Sequence, residues 1–108
     1  MERKKARLYE LQAEVIQAAG HPIRLAIIDY LEDGEQCVCD IAEAVGAQRS
    51  NVSRHLSVLA GAGMVGCRKD GLRVMYRLRT PCIRSFLGCV TRVLQERLKR
   101  ETAALGRR

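Results

Sequence analysis

The sequence predicts a mainly α-helical chain that breaks once into a β-hairpin and ends in a long helix, in the order ααααββα. Three observations predict it. Apolar residues recur at helical spacing from Leu8 to Leu59. The period then changes to two in "MVGCRKDGLRVMYRL", where Val74, Tyr76 and Leu78 alternate with Arg73, Met75 and Arg77. Charge also changes sign along the chain. Residues 1–46 carry five Lys/Arg against nine Asp/Glu, residues 47–80 seven against one, and residues 81–108 seven against two.

Each element follows from local chemistry. Leu8, Leu11, Val15 and Ala18 make one stripe of a first helix, which Gly20 ends. In "HPIRLAIIDYLEDG", Pro22 suits a first helical turn, Leu25, Ile28 and Leu31 share a face, and Asp33-Gly34 stops the run. "CDIAEAVG" is a short third helix with Ile41, Ala42 and Val45 inward and Gly46 as its C-cap. "QRSNVSRHLSVLAGAG" is a fourth, with Val52, Leu56 and Leu59 buried and Gly61 and Gly63 closing it. Asp70-Gly71 sits between the arms of the hairpin. After Pro81 a last helix runs to about Ala103, with Ile83, Leu87, Val90, Leu94 and Leu98 along one side.

A chain of 108 residues makes one domain with a modest core, so a partner subunit would add stability. The apolar faces of the first and last helices exceed what so small a core consumes, and mark them as dimerisation helices. We therefore divide the single domain 1–108 into dimerisation helices at 1–20 and 81–103, a helix-turn-helix at 38–62 and a wing at 64–79. No apolar run approaches the roughly 20 residues that span a membrane. The start "MERKKARLYE" has no apolar core of a secretory signal. The expected location is the cytoplasm, where thiols stay reduced. Five cysteines there point to metal or redox chemistry rather than to structural disulfides.

Two short helices joined by the tight turn "VGAQ" and followed by a basic hairpin make a winged helix-turn-helix. The second helix of such a pair fits the major groove, and its first turns point side chains at base edges. Here those turns offer Gln48, Arg49, Ser50, Asn51, Ser53, Arg54 and His55. Gln and Asn can bond adenine through two atoms, Arg can do so to guanine or hold phosphate, and Ser suits phosphate oxygens. No acidic residue falls between Gln48 and Asp70. The wing supplies Arg68, Lys69 and Arg73 for phosphate or the minor groove. His55 can equally be a structural histidine. The expected partner is double-stranded operator DNA, with no membrane partner.

"HPIRLAIIDYL", "CVCDIAEAVGAQRSNVSRHLSVLAGAGMV" and "RKDGLRVMYRL" together resemble the ArsR/SmtB family of metal-sensing repressors, over roughly residues 8–80 and more loosely the last helix. The resemblance implies a homodimeric winged-helix protein that sits on an operator and leaves it when a thiophilic ion binds. It implies no permanent cofactor.

Cys37 and Cys39 stand where loop passes into helix. Within a regular helix such neighbours diverge by about 200°, whereas in extended backbone they can point the same way. A helix N-terminus favours thiolate, the binding form. Two convergent thiolates suit As(III), Sb(III), Cd(II), Pb(II) or Zn(II) rather than Mg or Ca. The arsenic-responsive pattern of the resembled family, C-V-C-D-x-C, is broken here by Ala42. Its cadmium/lead pattern needs cysteines nearer the N-terminus than Cys37, and its zinc pattern needs His and Asp that residues 81–103 lack. The remaining thiols are Cys82 and Cys89, two turns apart on the last helix, either of which is the expected third ligand, within a protomer or across two. Cys67 reads as a plain small hydrophobe.

The expected function is an As(III)- or Sb(III)-released repressor. The alternatives are a Cd/Pb/Zn-responsive repressor, a thiol-based redox or sulfide sensor on the same scaffold, and, from another class, a metal carrier or thiol enzyme. Catalysis finds no partner constellation: Ser50, Ser53 and His55 are accounted for by DNA, and His21 has no cysteine near it in sequence. The chain is read as no enzyme.

Overall fold

The computed structural model describes residues 1–106. Its elements are α1 (Arg3–Ala19), α2 (Pro22–Leu31), β1 (Gln36–Cys37), α3 (Val38–Val45), α4 (Arg49–Gly61), β2 (Val65–Asp70), β3 (Arg73–Leu78) and α5 (Ile83–Leu105). One element is new relative to the sequence expectation. The two-residue β1 joins the hairpin to make a three-stranded antiparallel sheet of order β1-β3-β2, with Gln36 opposite Tyr76 and Cys37 opposite Met75. A strand this short shows no alternation, so periodicity cannot find it.

The helix ends are closed by local hydrogen bonds. The extended His21 caps α2: its Nδ1 accepts from the Ile23 amide at 3.1 Å, and Pro22 fills the first turn. At the end of α3, Gly46 takes a left-handed φ of 69°. That conformation lets its amide reach the Glu43 carbonyl and the Ala47 amide reach that of Ala42. This is the tight turn that aims α4. Gly63 and Met64 donate in the same pattern to Ala60 and Leu59 at the end of α4. The hairpin turn is one residue later than expected. Asp70 pairs with Arg73, leaving Gly71 and Leu72 as the central residues. Gly71 has φ 63°, which suits the first central position of a two-residue hairpin turn.

The core lies between α2, α3, α4 and the base of the hairpin. Ile27, Ile28, Ile41, Val52, Leu56 and Leu59 are fully buried there, with Met64 and Val65 beneath them. Burying each side chain of this size stabilises by roughly 1.5–3 kcal/mol. The terminal helices contribute little. α1 buries only Ala18 and Ala19, and α5 buries no residue completely. Leu8, Leu11, Val15 and Ile16 on α1, and Phe86, Val90, Val93, Leu94 and Leu98 on α5, stay exposed. The fold is correspondingly extended, 62 × 43 × 22 Å with a radius of gyration of 17.3 Å. A compact chain of this length has a radius of about 13 Å. No helix among the described residues is long and apolar enough to cross a membrane.

Candidate functional site

The outward face of α4 is set by its buried one. With Val52, Leu56 and Leu59 in the core, Ser50, Ser53 and Arg54 are exposed away from it, and Arg49 is exposed as the first residue of the helix. Gln48 caps the helix with an extended backbone, and its exposed side chain makes no capping bond, so its amide is free. Ser57 belongs to the same face. At about 100° per residue, Arg49, Ser53 and Ser57 fall within roughly 80° of one another. Sequence reasoning stopped at His55 and missed Ser57, although the spacing Ser50, Ser53, Ser57 would have found it.

Asn51 and His55 lie on the flank of α4 and are half-buried. His55 is not free. Its Nδ1 accepts from Nε of Arg24 at 3.1 Å, while Nη1 of the same guanidinium donates to the Ala18 carbonyl at 3.1 Å. The His55 and His21 rings lie 4.4 Å apart, tilted by 39°. Burial, followed by the neighbouring His21, Arg24 and Arg54, holds the His55 imidazole below its usual range and favours the neutral ring. The structure thus places His55 in a network within the fold, away from the Arg49–Arg54 face.

On the wing, one residue expected at DNA has a partner in the protein. Arg68 is taken by Glu35 of the α2–β1 loop, through Nε at 3.0 Å and Nη2 at 2.6 Å. The Arg68 hydrogen bond leads in holding the Glu35 carboxyl below its ordinary range. Lys69 and Arg73 flank the turn and are exposed, and Leu72 at the tip is fully exposed. Arg77 packs its guanidinium over Gly66, where a Cβ would sit 3.1 Å away.

The thiols are dispersed. Cys37 is 3% exposed and caps α3 from β1, whereas Cys39, in the first turn of α3, is exposed. The extended backbone at Cys37 was expected to bring the pair to one side; instead one thiol faces the core and its neighbour faces solvent. Cys82 caps α5 and Cys89 stands in its second turn, both exposed, with Cys89 accepting from Arg92 at 3.3 Å. Cys67 is exposed on β2 opposite Tyr76. Among the described residues no three His, Cys, Asp or Glu side chains group together as metal ligands. A single protomer therefore does not bring Cys82 or Cys89 to the Cys37/Cys39 pair.

Comparisons with known proteins agree with this geometry. Residues 21–66, which run from the cap of α2 into β2, match the model of a family described as bacterial regulatory protein, arsR family. The HTH-type transcriptional regulator Rv0081 of Mycobacterium tuberculosis is 34% identical over 99 residues, 91% of this chain and 87% of that protein. The arsenical resistance operon repressor of Staphylococcus xylosus is 33% identical over 70 residues, 65% of this chain and 67% of that protein. Among solved structures, the homodimeric winged helix-turn-helix DNA-binding domain Mb0332 of Mycobacterium bovis matches with a TM-score of 0.78 at 32% identity, over 93% of each chain.

Proposed function

This chain belongs to the arsR family of bacterial regulatory proteins, and we propose that it is a repressor that holds its operator as a homodimer and releases it when As(III) or Sb(III) engages cysteine thiolates. It is a winged-helix DNA-binding transcriptional regulator and not an enzyme. The observation that carries the DNA half is the exposed Ser50, Ser53, Arg54 and Ser57 face of α4, with Arg49 exposed in its first turn and Lys69 and Arg73 exposed on the wing. Side chains of this kind at the start of a helix read base edges and hold phosphate. We assign Gln48, Arg49, Ser50, Ser53 and Arg54 to the groove, and Lys69 and Arg73 to the backbone. The site of action is the cytoplasm, where DNA and reduced thiols coexist.

Dimerisation is supported by the uncovered apolar residues of α1 and α5. A second copy placed there would give two α4 helices, which must match half-sites about 34–36 Å apart. Mb0332, of the same fold, is homodimeric.

The inducer reading rests on Cys37 and Cys39. The two thiols supply part of the three-sulfur set that trivalent arsenic takes, and the described residues of one protomer supply no third. By helical geometry Cys82 and Cys89 fall on the rim of the exposed face of α5, beside Phe86 and Val93. A second copy covering that face would bring one of them to the interface, where a site shared between protomers can be completed. Cys37 has to leave its seat opposite Met75 to join such a site. That movement pulls the start of α3, which packs on α4, and changes the spacing of the two reading helices. A coupling of about 1–3 kcal/mol weakens operator binding roughly 5–150-fold.

Operator release scored against As(III), Sb(III), Cd(II), Pb(II), Zn(II) and an oxidant tests this, on the unaltered protein and on single Cys→Ser variants. Release by As(III) that is lost in Cys39→Ser is the expected result. Release that survives in both Cys37→Ser and Cys39→Ser removes the pair as the sensor. A second reading is favoured by four exposed thiols with no third ligand beside the pair: a sensor of oxidants or sulfur species. Release by As(III) under reducing, anaerobic conditions decides against it.

A further inference from the structure

We propose that His55, His21 and Arg24 form a brace that positions the recognition helix α4 on the end of α1 and the start of α2, and that holds operator affinity only while the His55 ring is neutral. The inference rests on the DNA-reading role of α4 and assigns His55 to positioning rather than to contact with DNA.

One guanidinium ties three helices. Arg24 stands in α2, its Nη1 donates to the Ala18 carbonyl in the last turn of α1, and its Nε donates to His55 in the middle of α4. The Ala18 carbonyl is among the last four of its helix, which lack partners within the helix. His55 Nδ1 accepts from Arg24, so in the neutral ring the proton sits on Nε2. His21 Nδ1 accepts from the Ile23 amide, so its neutral ring carries the same tautomer. A proton added at His55 Nδ1 would face the guanidinium N–H with a second N–H. It would also place a positive charge, in a partly buried site, 3.1 Å from the Arg24 guanidinium. Both changes open the brace.

The surroundings favour the neutral form. Burial first, and then His21 at the cap of α2, Arg24 of α2 and Arg54 of α4, press the His55 proton off. From α1, Glu14 lines the adjoining groove together with Arg24 and Val58. The acidic residues of α3, Asp40 and Glu43, line a separate depression with Tyr30, and Arg68 of β2 is held by Glu35. α1 belongs to the face that we assign to the dimer, so the brace links that face to α4.

The two roles for His55 predict opposite signs. A phosphate-contacting histidine strengthens DNA binding when it gains a proton, whereas the brace weakens it. The test measures operator affinity from pH 7.5 to 5.5 at fixed salt, with full-length protein. The expected result for the unaltered protein is a fall of up to about tenfold per pH unit for each protomer once His55 titrates, or up to about a hundredfold for the dimer. His55→Asn offers Arg24 an acceptor that cannot gain a proton. It should keep the neutral-pH affinity, lose the pH dependence and leave the salt slope unchanged. Affinity that rises on acidification overturns the proposal, as does His55→Asn with an unaltered pH profile or a salt slope reduced by about one. Imidazole nitrogen NMR needs no variant. It should find the Nε2–H tautomer in the neutral His55 ring, and an Nδ1–H tautomer there rejects the brace.

Discussion

Arg68 and Glu35, 33 residues apart in the chain, are joined by both Nε and Nη2 of the guanidinium, at 3.0 and 2.6 Å. The pair straps β2 to the loop that leads into β1. We propose that the guanidinium keeps this surface partner on the operator and contacts no phosphate. Arg68→Ala should therefore leave the salt dependence of operator binding unchanged. Glu35→Gln should release Arg68 and steepen that slope by about one unit. A slope that falls in Arg68→Ala would show that Arg68 contacts DNA after all. The Glu35 carboxyl is held below its ordinary value of 4.5. Its contribution to stability is therefore full above that pH and is lost only as the pH falls below it, without effect near neutrality.

Arg49 and Arg54 stand on the opposite footing, exposed and with no protein partner among the described hydrogen bonds. Replacing either by Ala should cost about 1–3 kcal/mol of operator affinity if it reads a base, with relaxed preference at that position. If it holds phosphate instead, binding should weaken evenly across sequences and the salt slope should drop by about one. Fluorescence anisotropy against operator and random duplexes separates these results. No change in either measure would remove that arginine from the interface.

Val90 and Leu94 are exposed on α5 and outside the core. A Val90→Glu, Leu94→Glu double variant should keep its helical circular dichroism. Light scattering should find it as a monomer at concentrations where the unaltered protein is a dimer. Its operator affinity should collapse, because one reading helix then binds without the other. A dimer that survives the double substitution would place the interface elsewhere.

Cys37 is the one buried thiol of five. An aromatic disulfide reagent should modify Cys39, Cys67, Cys82 and Cys89 quickly and Cys37 slowly, at a rate set by opening of the β1–α3 junction. Cys37 reacting as fast as Cys39 would mean that it is not seated against the sheet. The movement proposed for induction would then lose its lever.

Gly46 joins the two helices of the helix-turn-helix with φ 69° and open space where a Cβ would lie. Gly46→Ala should cost about 1–2 kcal/mol from backbone conformation alone, read as a lower melting temperature. An unchanged melting temperature would mean that the turn relaxes out of the left-handed region.

The sequence alone determined which segments are helices, where the hairpin lies and which face of each helix is apolar. Those properties follow from short-range period, capping residues and turn glycines: Pro22, Gly46, Gly63 and Gly71 each act on their immediate neighbours. Composition and motif likewise marked α4 as the reading helix. Tertiary structure decided what side chains far apart in the chain do to one another. Arg24 meets His55 across 31 residues, Arg68 meets Glu35 across 33, and Cys37 lies opposite Met75 in a strand of two residues. None of these pairings leaves a periodic trace, because a hydrogen bond depends on where two backbones pass in space and not on spacing along one of them. The same cause gave His55 and Arg68, both expected at DNA, a hydrogen-bond partner in the protein, and set one thiol of the Cys37/Cys39 pair inward and the other outward.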